Sequence, residues 1–321
     1  MNRLSYSSTS VPFVQKLSEI TAFFRMRAQS LLRPHGLASL FSDLGEYDAW
    51  LQRYTPNSLA TAKIFEIGYG ACPHRLLALI SLGIDAQGVD VDVPILHGRP
   101  SEFLALYRAN GLERLLKSAL RFPLFDVIER RYLARELKAR GKALHVIPER
   151  FLVQDAASLE IPGESLDLIF SEDVFEHMPT GSLEKLIPKM ARWLKPKGLA
   201  LIRPNIFTGI AGGHLAEWFS HTLQDRTRRR KSEPWEHLRK RRYQANTYLN
   251  QVTRAEYRSL FASSFRILEE QVRAPHLGRE FFRAEVQADL QGYQEEELFS
   301  NQVLFVLQPK TICTERGGAA R

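Results

Sequence analysis

The stretch from Lys63 to Asp92 constrains the fold more than any other part of the chain. Ile64, Phe65 and Ile67 form an apolar run of the length of a buried parallel strand. Gly68 and Gly70 follow, where the backbone can turn sharply and approach a ligand with no Cβ in the way. Pro73 suits the first turn of a helix, whose N–H groups lack intrahelical partners. Leu76, Leu77, Leu79 and Ile80 supply that helix's buried face, and Gly83 stands where a left-handed cap ends it. A second strand closes on Gly88-Val89-Asp90, which puts an acid at a strand's carboxyl end, 22 residues after Gly68. Strand, glycine turn, helix and strand predict a βαβ unit whose ligand lies in the crevice at the strand ends.

Two cofactor classes use such a crevice. A dinucleotide fingerprint, G-x-G-x-x-G/A, needs a third small residue for close helix–strand packing, and here that position is Pro73. Glu66, two residues before the first glycine, does nothing for a pyrophosphate but suits a cationic amino-acid ligand. Glu66-x-Gly68-Tyr69-Gly70 with Asp90 resembles the first two motifs of class I S-adenosylmethionine-dependent methyltransferases. The alternative is an ordinary βαβ unit with a structural glycine turn.

Later segments extend the resemblance. Phe151 to Ala156 reads as a third strand and its exit turn. In the family, the positions of Asp155 and Ala156 contact the adenine, the carboxylate accepting from the amino group and the backbone N–H donating to the ring. Ser165 to Glu172 reads as a fourth strand entering DVFEHMP, similar to the family's strand and Glu-His turn. Leu183, Leu186, Ile187, Met190 and Leu194 mark a helix that Pro188 should kink or shorten. Trp193 to Gly198 resembles the family's turn into the strand Leu199–Ile202, and Thr253-x-x-Glu256 is a capping box. Strands at Phe265–Val272 and Val303–Leu307 complete seven. The resemblance therefore implies a Rossmann-like α/β sheet of seven strands, the last antiparallel, S-adenosyl-L-methionine as cofactor, and methyl transfer as the reaction. Glu66, Gly68, Tyr69, Gly70, Asp90, Asp155, Ala156 and Glu172 are its cofactor-binding candidates, with Asp92 competing with Asp90 for the ribose.

Residues 58–309 are expected to form the methyltransferase domain, 1–57 a helical N-terminal cap and 310–321 a flexible tail. In the cap, Phe13, Leu17, Ile20, Phe24, Ala28 and Leu31 are spaced for one helix face, and Leu40, Phe41 and Trp50 mark a second apolar segment over the cleft or sheet edge. About 55 residues after Asp92 exceed what one crossover requires. They predict a helical insertion over 95–148, a lid or an added packing layer, with a long helix through Leu124, Ile128, Tyr132, Leu133 and Leu137.

Composition enters as a set of exclusions. With 44% hydrophobic and 25% charged residues in 321, the chain supports a real core. No apolar run approaches the roughly 18 residues of a membrane span. Two cysteines, Cys72 and Cys313, argue against a disulfide or zinc framework and for a reducing, cytoplasmic setting. Of the net charge of +8, the segment Arg226–Arg242 carries +7, from nine Lys/Arg and two Glu. It reads as a solvated loop, as a contact for an anionic acceptor or headgroup, or as an RNA surface with Trp235 and Tyr243 stacking on bases.

A hydroxyl acceptor must lose its proton, and histidine is suited to that near neutral pH. His177, after the fourth strand, is one candidate, in a Glu-His pair like that of cyclopropane-fatty-acid synthases. His214 is the other, in Gly212-Gly213-His214, where the glycines suggest a close approach to something bulky and Glu217 can orient the ring. The GGH…W loop is similar to those of bacterial methyltransferases of surface glycans. O-methylation of a small-molecule, glycan or lipid-linked acceptor is the expected function, with an RNA-directed enzyme or a non-catalytic scaffold as alternatives. No metal site is expected.

Overall fold

The computed structural model describes residues 35–223, 230, 232–241 and 248–310. The N-terminal helix expected over 11–32, the tail and much of the basic run lie outside these residues. Seven strands, β1 (Lys63–Ile67), β2 (Asp85–Asp90), β3 (Phe151–Val153), β4 (Leu166–Glu172), β5 (Leu194–Arg203), β6 (Phe265–Val272) and β7 (Val303–Pro309), form one sheet in the order 3-2-1-4-5-7-6. Strands β1 to β5 are parallel, and β7 runs antiparallel to both β5 and β6. The expected α/β sheet with its last strand reversed is the one observed.

Alternation along the strands divides the apolar residues between two faces. Ile64, Leu168, Phe170, Leu199, Leu201 and Val306 face one side, where they meet α1 (His35–Tyr54), α2 (His74–Leu82) and α4 (Val127–Ala139). Phe65, Ile67, Ile169, Ala200, Ile202 and Phe305 face the other, against α5 (Thr180–Trp193) and α6 (Arg254–Ala262). Helix α2 ends as the sequence predicts, with Gly83 left-handed at φ 89° and its N–H on the carbonyls of Leu79 and Ile80. Pro73 sits one position earlier than expected, at the N-cap. The Thr253–Glu256 capping box opens α6 with both reciprocal bonds formed.

Three expectations need correction. Helix α5 runs unbroken through Pro188, because its amphipathic face, from Leu183 to Trp193, is held by the core. The insertion holds α3 (Pro100–Arg121), broken at Gly111 (φ 80°, ψ 176°), and α4, joined by a π-helical turn at Phe122–Asp126. Leu133 and Leu137 are buried as expected, but Leu124 falls on the turn and is 51% exposed. Trp235, read as a base-stacking residue, is fully buried. Its indole N–H donates to the Thr208 carbonyl (3.1 Å) and its ring meets Phe282 and Phe299 edge-on.

Trp235 anchors a third apolar cluster with Ile210, Trp218, Val286, Leu298 and Phe299, built from the chain after β5 and the chain between β6 and β7. Two cations of the basic run's described part pack beside it. Arg239, only 4% exposed, pairs with Asp289 (2.6 Å) and Glu233 (3.0 Å), and Arg230 lies over the rings of Trp218 and Phe281. Replacing Trp235 with alanine is expected to cost about 3–5 kcal/mol in urea denaturation, as for other buried aromatic truncations. An exposed stacking residue would leave stability unchanged.

Candidate functional site

The carboxyl ends of β1, β2, β4 and β5 open into one cleft of about 790 Å³, the size of a small-molecule site. It lies where the chain leaves β1 toward β2 on one side and β4 toward β5 on the other, the switch point of an open sheet. The glycines of the first turn have different reasons to be glycine. Gly68 has φ 81°, and a Cβ there would lie 2.2 Å from a methyl of Val174. Gly70, at φ 69°, would point a Cβ into open space, so its backbone borders the cleft.

Asp90 accepts from the Gly70 N–H (2.7 Å) and the Asp92 N–H (2.8 Å), which fixes its carboxylate at the cleft wall. Burial raises its pKa, and the Gly70 N–H and the Arg114 guanidinium oppose the rise. Asp92 also lines the cleft, but its carboxylate accepts from the Arg114 guanidinium (3.1 Å). Tyr69 contributes backbone to the turn, while its side chain is buried and donates to the Leu152 carbonyl (2.9 Å). Asp155 is exposed beyond the end of β3, and its carboxylate accepts from the Ala157 N–H (2.9 Å). Ala156 is buried in the turn behind it. Neither is among the cleft-lining residues.

The cleft floor is a charge cluster. Glu66 and Glu172 end neighbouring strands and share Arg75, which reaches Glu66 at 3.2 Å and also binds Glu172. Arg203 closes on Glu172 (2.5 Å), and the Tyr47 hydroxyl of α1 donates to the same carboxylate. Burial pushes Glu66 up to about 7 against the opposing Arg75, and Glu172 up to about 8 against Arg203. Glu66 Oε2 is buried with no hydrogen-bond partner among the described residues. Tyr47, Asp43, Arg75 and Arg203 were not singled out from the sequence. Only the position of Arg75 one turn after the glycines, and of Arg203 at a strand's carboxyl end, hinted at them.

The two histidine candidates meet although 37 residues separate them, their ring centres 4.9 Å apart and edge to face. His177 lines the cleft with Asp173 and Val174, and its Nδ1 lies 3.0 Å from the Tyr248 carbonyl. A carbonyl can only accept, so Nδ1 carries the proton and Nε2 of the neutral ring is left as an acceptor. Burial lowers the pKa of both rings, that of His214 to about 4, with the other histidines adding to the effect. The glycines before His214 make room for protein rather than ligand. A Cβ on Gly213 would strike the His237 ring at 2.8 Å, and one on Gly212 would lie 2.1 Å from the Phe207 carbonyl oxygen. Glu217 does not orient His214, because its carboxylate accepts from the backbone N–H (2.9 Å) and the hydroxyl of Ser232.

Asn250 holds the turn that carries His177. Its side-chain amide donates to the carbonyls of Phe175 (2.7 Å) and Met178 (2.9 Å), and its backbone N–H donates to the Glu176 carbonyl. Asn250→Ala is expected to lower stability by about 1–3 kcal/mol, the cost of orphaning buried carbonyls. It should also shift the His177 imidazole signals in NMR and leave those of the exposed His276 in place.

A family model described as "Methyltransferase domain" matches residues 125–202, which hold β3, β4, α5 and most of β5. No curated protein matches the chain in sequence. Among solved structures, a SAM-dependent methyltransferase of Methanosarcina mazei is 15% identical at a TM-score of 0.43, covering 80% of this chain and 95% of that one. An S-adenosylmethionine-dependent methyltransferase of Mesorhizobium loti is 13% identical at 0.41, covering 80% and 95%. The PH0226 protein of Pyrococcus horikoshii OT3 is 15% identical at 0.42, covering 84% and 90%. Similarities of this size carry no substrate from one protein to another. The domain match falls on the middle of the sheet, and the strand order with its single reversed strand is the one that the resemblance to class I S-adenosylmethionine-dependent methyltransferases implies.

Proposed function

We propose that the chain methylates a hydroxyl oxygen of a small-molecule, glycan or lipid-linked acceptor in the cytoplasm, the acceptor oxygen meeting the cofactor's methyl group beside His177 and His214. The observation that carries this reading is the placing of His177 on the wall of the cleft that also holds Glu66, Gly70 and Asp90. Methyl transfer from a sulfonium is an in-line displacement, so the protein's part is to position the acceptor, exclude water and ease the loss of its proton. Trp235 lies in the core rather than on a surface where it can stack on bases, which weighs against RNA as the acceptor. No helix among the described residues is long and apolar enough to cross a membrane.

The residues suit the cofactor part by part. Glu66 Oε2, buried and unpaired, is a place for the amino group of the methionine moiety. The open side of Gly70 lets the cofactor lie against the turn. Asp90, held rigid by two backbone N–H groups, keeps lone pairs for the ribose hydroxyls, whereas Asp92 is committed to Arg114. Asp155 and Ala156, just past β3, are assigned to the adenine edge, and Glu172 to the cleft floor.

Calorimetry with S-adenosylhomocysteine tests this assignment. Asp90→Ala is expected to weaken binding at least tenfold, equivalent to about 1.4 kcal/mol or more. Asp92→Ala should change it by less than threefold. Burial pushes the Glu66 carboxyl up to about 7. A cationic ligand selects the ionised form, so affinity should be level above about pH 7 and fall by up to tenfold per unit below it. Glu66→Gln should bind more weakly and lose that slope. For the acceptor, methyl-labelled cofactor incubated with fractionated extract should place label in glycan, lipid or small-molecule pools as an ether. Label in RNA or protein, or none at all, would refute the proposal.

A further inference from the structure

We infer that Glu176, His177 and His214 form a binding site for one divalent transition-metal ion of the zinc class, with open positions facing the acceptor side of the cleft. One carboxylate oxygen of Glu176 and one ring nitrogen from each histidine lie within 4.8 Å of one another. Two imidazoles and a carboxylate are a donor set that selects transition ions over magnesium or calcium, and three protein ligands leave room for exogenous oxygen. Ligand bonds of about 2.0–2.2 Å around a central ion need only small side-chain adjustments from this separation.

A second observation points to a missing ligand. Glu176 is 3% exposed, and its Oε2 has no hydrogen-bond partner among the described residues. A buried carboxylate oxygen without a partner is costly, and a cation beside it removes that cost. Its other oxygen accepts from Asn205 (2.7 Å), so the carboxylate is already oriented from behind. His177 is oriented in the same way. Its Nδ1–H donates to the Tyr248 carbonyl, which turns the Nε2 lone pair outward, as outer contacts commonly do for metal-binding histidines. His214 stands at φ 54°, an uncommon left-handed conformation for a residue with a side chain. Its ring nitrogens have no protein hydrogen-bond partner among the described residues.

The site itself stands apart from the methyl-transfer reading, whereas its role rests on it. A hydroxyl oxygen bound to the ion loses its proton to water more readily, as metal-bound water does. The oxygen lone pair then forms the O–CH₃ bond while the methyl–sulfonium bond breaks. The electron pair stays on sulfur, and S-adenosylhomocysteine leaves as a neutral thioether. The histidines in this account hold the ion and do not themselves take the proton.

The test uses the full-length protein, stripped with a chelator and titrated with Co²⁺ and Zn²⁺ by calorimetry and visible spectroscopy. One ion per chain is expected, with Co²⁺ d–d bands and no thiolate charge-transfer band. Glu176→Gln and His214→Ala should each weaken binding at least tenfold while keeping S-adenosylhomocysteine affinity, which also reports that they fold. Should a variant fail to fold, paramagnetic shifts of the His177 and His214 ring protons in the wild type decide the matter. The inference is overturned if the wild type binds no ion, or if both variants bind as well as it does. It is equally overturned if Cys72→Ser abolishes binding, since Cys72, Asp126 and Glu129 form a second cluster of potential ligands. Co²⁺ binding without S-adenosylhomocysteine binding would remove the methyl-transfer reading and leave the ion site.

Discussion

Two carboxylates buried at the ends of adjacent parallel strands, Glu66 on β1 and Glu172 on β4, set the conditions for everything around them. Burying a carboxylate costs several kcal/mol unless opposite charge and hydrogen bonds surround it. Arg75 comes from the first turn of α2 and Arg203 from the end of β5, so the cluster ties together three strands and the helix after the glycine turn. Helix α1 joins through the Tyr47 hydroxyl, while its Trp50 and Leu51 pack into the core below. The N-terminal helix thus borders the cleft because its polar residues complete the floor. One oxygen of Glu66 remains without a hydrogen-bond partner among the described residues after all these contacts.

The acceptor side is built on a different principle. No regular element carries His214; it is placed by a tight turn in which Gly212 and Gly213 allow the chain to pass Phe207 and His237. That turn is held by the apolar cluster around Trp235, to which the chain between β6 and β7 contributes Val286, Leu298 and Phe299. His177 lies on the short turn after β4, and Asn250, next to the Tyr248 carbonyl, clamps that turn from outside the sheet. The half of the cleft lined by Glu66, Gly70 and Asp90 therefore belongs to the sheet. The side next to His177 belongs to two long connections packed on each other, the part of such a fold that can vary without disturbing the strands.

Local periodicity and turn chemistry were enough for the sheet. Strand β1, the left-handed Gly83 cap, the Thr253–Glu256 capping box and the position of Asp90 all follow from neighbours a few residues apart. Pro188 and Leu124 show the limit of that reading. Proline's local preference yields to a helix face buried at Leu183, Leu186 and Met190, and apolar spacing at Leu124 cannot reveal that a π-helical turn rotates it to the surface.

The sequence by itself determined the Rossmann-like sheet, the glycine turn and the acids that border the cleft, because those depend on short-range pattern and on strand ends. It also named His177 and His214, but as separate candidates. That their rings touch, that a carboxylate oxygen of Glu176 lies within 4.8 Å of a nitrogen on each, and that Glu217 serves Ser232 were decided by the tertiary structure. So was the placing of Trp235 and of the Arg239 side chain, which are buried although they stand in a strongly charged segment. The physical reason is common to all of them: each depends on segments tens of residues apart meeting in space, and neither charge counts nor periodicity carries that information.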